Sequence, residues 1–435
     1  MPRIIVLNIG GMSSRQVYRQ LWMAEAGDIV VSPVAIDAGF LAYVHDVLGL
    51  ARNAVTVVVA DGVLTDEAMC SPGLVAELRS RMAASPAWEL MPAALTEGVA
   101  ALAELLGIEA DHGLRFAGQR GPELLNRKSH FRQLAVGAGL PVPSGAVVTS
   151  VRALATAIER HLPPTGTVIV KRDDDLNGQG NLALIAGDSP PLPGVREVRP
   201  VTDDLPALAA QVWSELADEE KVLVVESYHQ AALCFYFEYL IDADGFPRYL
   251  ASGTIRRRPD TEPTRPDLVW VGLELPAELP PDLAYHASTE AARIAGLAAQ
   301  VGYRGHINVD ALVTEAGELL FNEVNARWGG GLALHTIGER LLGTGYADRS
   351  VVSSLRDVTP MRFPDFEKAL HLHDLHFQPE AREGVVVVSY DEQLASTSEC
   401  VVIAASKARA RAIEARLRQV VGELAEPPAG PVRVG

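Results

Sequence analysis

The sequence predicts an α/β protein of several domains, and three observations predict it. The chain has 435 residues, too many for one ordinary core, so two to four domains are expected. Short apolar strands alternate with helical patterns through residues 1–107, which implies an α/β unit with a parallel sheet. Later strands come in pairs around Ala-Asp-Gly (243–245) and Glu-Ala-Gly (315–317). These read as hairpins, adding α+β elements.

In chain order, RIIVLNI (3–9) reads as a strand followed by Gly10-Gly11, then a helix over 13–26. VTVVVA (55–60) is a second buried strand, with helices near 73–84 and 94–107. Gly10-Gly11 lacks the rest of a GxGxxG pattern, so a tight turn competes with a phosphate-approaching one. Residues 121–140 read as one helix stopped by Gly-Leu-Pro. A strand at 146–148, a helix at 150–161 and the strand TVIVKRD (167–173) follow. The proline-rich stretch 189–206 reads as a linker. A helix at 206–217 and the strand KVLVVE (221–226) lead to a hairpin over 234–258. A proline-rich loop over 259–281, a helix over 282–301 and a second hairpin over 305–327 come next. Beyond 345 the pattern changes, and a small separate domain is expected, with a strand at 385–390 and a helix at 406–422.

Composition narrows the function. Hydrophobic residues make up 48% and charged residues 21%, a globular balance. The formal net charge of −17 excludes nucleic acid as the main partner, because phosphate neutralisation needs a basic face. Cys70, Cys234 and Cys400 are scattered in no metal-type spacing and read as small thiols in a reducing compartment. The start of the chain lacks a signal-peptide pattern, and no apolar run has membrane-spanning length, so no membrane partner and a cytoplasmic protein are expected.

Asp310, Glu323 and Asn325 lie on the two strands of the 305–327 hairpin. Glu323 and Asn325 are two apart and share one strand face. Two carboxylates and an amide oxygen are hard donors of the kind Mg²⁺ takes, leaving its other positions to water and phosphates. A polar, solvated sheet face is the alternative. It fits poorly with FNEVNARW, where acid and amide residues alternate inside an apolar strand. Arg327 continues that face and can counter charge on a phosphate or an oxyanion. Gly329-Gly330-Gly331 follow, either for close backbone approach to a ligand or as a flexible loop.

Lys171 ends its strand just before DDDLNGQGN (173–181). Gly178 and Gly180 there can offer backbone N–H groups to phosphates as a mobile flap, although Asn-Gly is also a common hairpin turn. Glu226 ends its strand and can border a base in a crevice, or be a simple strand-terminal acid. Arg256, Arg257 and Arg258 are the sharpest basic run. Alternation puts Arg256 and Arg258 on one face, for an anionic group or as an exposed strand end. His371, His373 and His376 resemble a metal site but lack a helical HExxH frame, so packing and surface use are expected. No GxSxG or P-loop motif occurs.

With these residues in view, the chain resembles the ATP-grasp superfamily and, within it, the peptide ligase of pheganomycin biosynthesis and its relatives. Lys128 before Gly-Leu-Pro-Val-Pro (139–143), Lys171 with 173–181, Glu226, and Asp310 with Glu323-x-Asn325-x-Arg327 carry the resemblance over roughly residues 120–335. It implies a pre-ATP-grasp α/β domain (1–118), a nucleotide-binding lobe (119–225), a metal-binding lobe (226–345) and a small C-terminal domain (346–435). It also implies ATP and Mg²⁺ as cofactors, with Mn²⁺ a substitute. Lys128 and Lys171 would contact phosphates, and Glu226 the adenine or ribose. Asp310, Glu323 and Asn325 would be metal ligands, and Arg327 would hold the transferring phosphate. The implied reaction joins a carboxylate, such as an amino acid, to an amine, such as a peptide, through an acyl phosphate, in antibiotic-type biosynthesis. The D-alanine ligase branch has an arginine where this chain has Asn308, which disfavours that substrate. A carboxylase, an acyl-phosphate-forming kinase and a non-catalytic nucleotide-binding protein are the rivals. The oligomeric state stays open, a homodimer included.

Overall fold

The computed structural model describes residues 1–9, 14–83, 87–174, 180–187, 192, 194–195, 197–217, 221–257, 270–356, 358, 361–391 and 397–425. Among them, strands form three sheets.

The first sheet holds Arg3–Val6 (β1), Ile29–Ser32 (β2), Thr56–Val59 (β3) and Glu89–Pro92 (β4), all parallel, in the order β3-β2-β1-β4. Helices cover both faces, so both sets of alternating side chains are apolar: Ile4 and Val6 enter one core, Ile5 and Leu7 another. The order reverses between β1 and β4. In open α/β sheets such a reversal opens a crevice at the carboxyl ends of the strands.

The second sheet is Gly145–Val148 (β5), Thr167–Arg172 (β6), Asn181–Ile185 (β7), Glu197–Pro200 (β8) and Leu223–Ser227 (β9), ordered β5-β9-β6-β7-β8. Val168, Val170, Leu182, Leu184, Leu223 and Val225 bury one face under the helices Val151–His161 and Leu205–Leu216. Ile169, Lys171 and Glu226 occupy the other face.

The third sheet begins with Ala231–Ile241 (β10), Pro247–Arg257 (β11), Trp270–Leu275 (β12), Gly305–Thr314 (β13) and Leu319–Asn325 (β14). Phe235, Phe237 and Tyr239 alternate into a core with Ile307, Val309 and Ala311 beneath the helix Pro281–Gln300. Burying each such large side chain stabilises by about 1.5–3 kcal/mol. Val351–Leu355 (β15), Gly384–Asp391 (β16) and Thr397–Ala404 (β17) continue this same sheet, giving β14-β13-β10-β11-β12-β15-β17-β16. The C-terminal segment therefore adds strands to an existing edge, and its Val386, Val387 and Tyr390 share a core with Trp22 and Phe40 of the first unit.

Several sequence expectations need correction. The single helix over 121–140 is two, Glu123–Asn126 and Lys128–Gly137, broken where Arg127 adopts an extended backbone. The proline-rich 189–206 stretch contains β8, and the 259–281 loop contains β12. β8 pairs with β7, and β12 with β11 and the distant β15, which local composition does not reveal. β2, β4, β7, β15 and β17 were not expected, nor was the helix Gly330–Leu342. No helix among the described residues is long and apolar enough to cross a membrane.

Candidate active site

The sheet register gathers the acidic hairpin residues. Asp310 pairs with Glu323 and Asn308 with Asn325 across β13–β14. On the other side of β13, Tyr236 pairs with Asp310 and Glu238 with Asn308. A bulge makes this work. Asp310 faces Glu323 but Ala311 faces Phe321, so Asn322 is extra. Strict alternation would put Phe321 on the face of Glu323. The extra residue keeps Phe321 in the core and leaves Glu323 and Asn325 on the open face.

Asn325 Nδ2 donates to Asp310 Oδ2 at 3.1 Å, and Arg327 Nη2 donates to Asn325 Oδ1 at 2.6 Å. Desolvation, then the Glu323 charge, push Asp310 up to about 8, against the pull of Arg327 and the Asn325 hydrogen bond. Two carboxylates held this close, one resisting ionisation, are what a divalent cation relieves. Among the described residues no three His, Cys, Asp or Glu side chains converge as a metal cage. Two carboxylates with one amide oxygen match a hard cation that shares its remaining positions with phosphates. The residues present thus fit Mg²⁺.

The opposing face belongs to the second sheet and the helix Lys128–Gly137. Lys128 Nζ lies 3.8 Å from Glu323 Oε1, joining that helix to the hairpin. Lys171 Nζ lies 2.6 Å from Glu226 Oε2, while Arg132 Nη1 holds Glu226 Oε1 at 2.8 Å. Glu226 is buried, so a cation meets each of its oxygens. Asp173, also buried, supplies the cap that Arg127 cannot. Its Oδ1 accepts from Ser129 N–H at 2.7 Å, and its carbonyl accepts from Lys128 N–H at 3.0 Å. That cap ties the end of β6, with Lys171, to the helix that starts with Lys128. Arg132 and Glu238 do not stand out in the sequence as site residues, and Asn308 does so only through the resemblance. The position of Asp173, two residues beyond Lys171, offers a signal.

The first sheet closes the third side. Asn8 and Ala94 exchange two hydrogen bonds (2.8 and 3.1 Å) across the β1–β4 crevice. Ala94 bridges to Arg327, and Trp328 N–H donates to the Ala93 carbonyl at 2.8 Å. Asn126 pins the same segment, its Oδ1 accepting from Ala326 N–H at 2.8 Å. The crevice of the parallel sheet thus opens against Arg327. At the hinge between β9 and β10 is a cavity of about 350 Å³ lined by Thr167, Ile185, Tyr228, His229, Gln230 and Thr314. Thr167 shares a strand face with Lys171, and Thr314 with Asp310, but none of Lys128, Lys171, Glu226, Asp310, Glu323 and Asn325 lines the cavity.

Other predicted residues go elsewhere. Arg256 points to the opposite face of β11 and grips Glu414 of the helix Lys407–Ala425 with both terminal nitrogens, at 2.8 and 2.9 Å. It also donates to Ser353 Oγ at 2.7 Å. Gly178 and Arg258 lie outside the described residues, as do Gly10 and Gly11; Gly180 is in the turn before β7. The His371 and His376 rings stack at 4.1 Å. Gly329 is the N-cap of the helix Gly330–Leu342. Gly330 and Gly331 open that helix, and a Cβ on any of the three would meet a neighbouring side chain.

The fold defined by this hairpin, hinge and crevice is the ATP-grasp fold. A family model of the Pre ATP-grasp domain matches residues 17–108, and one of the PGM1 C-terminal domain matches residues 368–417. Among solved structures, N5-carboxyaminoimidazole synthetase from Staphylococcus aureus, complexed with ADP, superposes with a TM-score of 0.55 at 11% identity, covering 96% of this chain and 97% of that one. Biotin carboxylase from Campylobacter jejuni gives 0.59 at 16% identity, over 94% and 89%. L-amino acid ligase from Bacillus licheniformis gives 0.54 at 13% identity, over 96% and 97%. No curated protein matches by sequence.

Proposed function

We propose that the protein is an ATP- and Mg²⁺-dependent ligase that joins a carboxylate to an amine through an acyl phosphate. The observation that carries this reading is the hairpin cluster. Asp310, Glu323, Asn325 and Arg327 lie together across the cleft from Lys128 and Lys171.

A carboxylate is a poor electrophile, because it repels a nucleophile and has no good leaving group. In the proposed route a carboxylate oxygen attacks the γ-phosphorus. The bond from that phosphorus to the β,γ-bridging oxygen breaks, and ADP leaves. The amine then attacks the acyl carbon, inorganic phosphate departs, and the amine loses a proton. Lys128 and Lys171 would hold phosphate oxygens, with Glu226 and Arg132 fixing the Lys171 ammonium. Glu226, at the start of the hinge, would border the adenine or ribose. Arg327 would offset charge on the transferring phosphoryl group. Asp310, Glu323 and Asn325 would hold Mg²⁺, which when bound neutralises phosphate charge. The carboxylate substrate would lie in the β1–β4 crevice, beside Arg327.

We infer an amino acid as the carboxylate and a peptide as the amine, in antibiotic-type biosynthesis; the sequence resemblance supports this finer reading. A carboxylase is the second reading, since two neighbours have that activity in their names. Purified protein with ATP and Mg²⁺ is screened for ADP release against amino acids, short peptides and bicarbonate, with product masses recorded. Amide products support the ligase. ADP release driven by bicarbonate with no amide formed sinks it.

A further inference from the structure

We propose that Glu238 is a positioning residue that clamps the glycine turn after Arg327 and so fixes the arginine over the hairpin cluster. What the arginine does there rests on the ligase reading; how it is held does not.

Glu238 is wholly buried on β10, beside Asn308. Its Oε1 accepts from Asn308 Nδ2 at 3.2 Å. The backbone of Leu332, in the first turn of the helix Gly330–Leu342, faces the same carboxyl and favours its charged form. A helix N-terminus presents unpaired N–H groups, and the Glu238 carboxyl from another strand packs beside them, against Gly329.

The three glycines let this contact form. A Cβ on Gly329 would sit 2.7 Å from Glu238 Oε1, one on Gly330 3.1 Å from Arg19 Nη1, and one on Gly331 2.4 Å from the Tyr236 ring. Three side chains from two other elements therefore press on three consecutive residues. The far end of the turn is pinned where Trp328 N–H meets the Ala93 carbonyl. Arg327 hangs between these anchors, close enough that its charge acts on Glu238.

An apolar side chain would fill this site at less cost than a carboxyl does. Glu238 Oε2 and the Tyr236 hydroxyl are buried and have no hydrogen-bond partner among the described residues. Desolvation pushes Glu238 up to about 8, so at neutral pH it carries a proton and glutamine is its near-isostere. The expense is accounted for by the turn the carboxyl holds.

The test compares Glu238→Ala and Glu238→Gln in the full chain with two readouts. Hydrogen exchange of amides 330–333 should speed by about tenfold in the alanine variant and stay near wild type in the glutamine variant. In ATP-dependent ADP release, alanine should lower kcat by about 30- to 100-fold with KM for ATP nearly unchanged, and glutamine should restore it. If the alanine variant does not fold, Glu238→Asp, which shortens the reach, is read the same way. Unchanged exchange overturns the clamp. Faster exchange with unchanged kcat, or a rise in KM for ATP alone, overturns the positioning role. A glutamine variant as inactive as the alanine one also overturns it. Absence of any ADP release by the wild type would count against the ligase reading, while the exchange data still decide the clamp.

Discussion

Arg327 donates to the Asn325 side-chain oxygen at 2.6 Å, which ties the arginine to the same sheet face as Asp310 and Glu323. The tether means that Arg327 arrives at the cleft already oriented. Arg327→Lys keeps the charge but loses the planar fork. It should lower kcat for ADP release by about tenfold or more, and Arg327→Ala by about 10²–10³-fold, with smaller changes in KM for ATP. Steady-state kinetics check this. An effect confined to KM would contradict it.

Asp310→Asn and Glu323→Gln should each abolish ligation while the protein stays folded. Both substitutions remove one of two mutually repelling carboxylates, so thermal midpoints should hold or rise. Circular dichroism with an activity assay reads both effects. Near-wild-type ligation in either variant would remove the metal assignment.

Arg256 and Glu414 should behave as a structural pair. Their contact is bidentate and largely buried, and Ser353 completes it. Each alanine variant should lose stability, and the double variant should lose less than the sum, with a coupling of about 1–3 kcal/mol. Additive losses, or an activity defect in Arg256→Ala without a drop in thermal midpoint, would restore a role for Arg256 in binding an anionic group.

Glu238 sets a pH dependence. Its ordinary value is 4.5, and burial raises it to about 8 in the folded state. Between these values the unfolded chain has lost the proton and the folded chain keeps it. Stability from this group is therefore full below pH 4.5 and declines as pH rises towards 8, by up to about 1.4 kcal/mol per unit. Thermal unfolding without nucleotide should show wild type losing more between pH 6 and 8 than Glu238→Gln does. Parallel slopes would mean that the carboxyl is ionised throughout.

The hairpin cluster was legible in the sequence because acids and amides two apart inside an apolar strand gain little from burial unless they bind something. The bulge at Asn322 was not, since an extra strand residue leaves no local mark. Glu238 is one acid in the apolar run CFYFEYLID; its meaning comes from Asn308 and Leu332, far along the chain. The run Arg256–Arg258 reads the same whether its partner is a ligand or an acid, and for Arg256 the partner is 158 residues away. The glycine run showed that something comes close but not what, and the structure answers with Glu238, Arg19 and Tyr236. The C-terminal strands look like a separate unit in sequence because pairing of β12 with β15 crosses the whole hairpin and a long helix.

The central claim is transfer of the terminal phosphate to a carboxylate, and the most direct measurement follows an oxygen atom. The cluster of Asp310, Glu323, Asn325 and Arg327 would gather charge at the γ-phosphate, so cleavage should fall between the β- and γ-phosphates. A carboxylate substrate labelled with heavy oxygen is ligated, and the phosphate products are examined by mass. The account predicts ADP as the stoichiometric nucleotide and one labelled oxygen in inorganic phosphate. Label in AMP, or AMP with pyrophosphate as the products, would contradict it even if an amide forms.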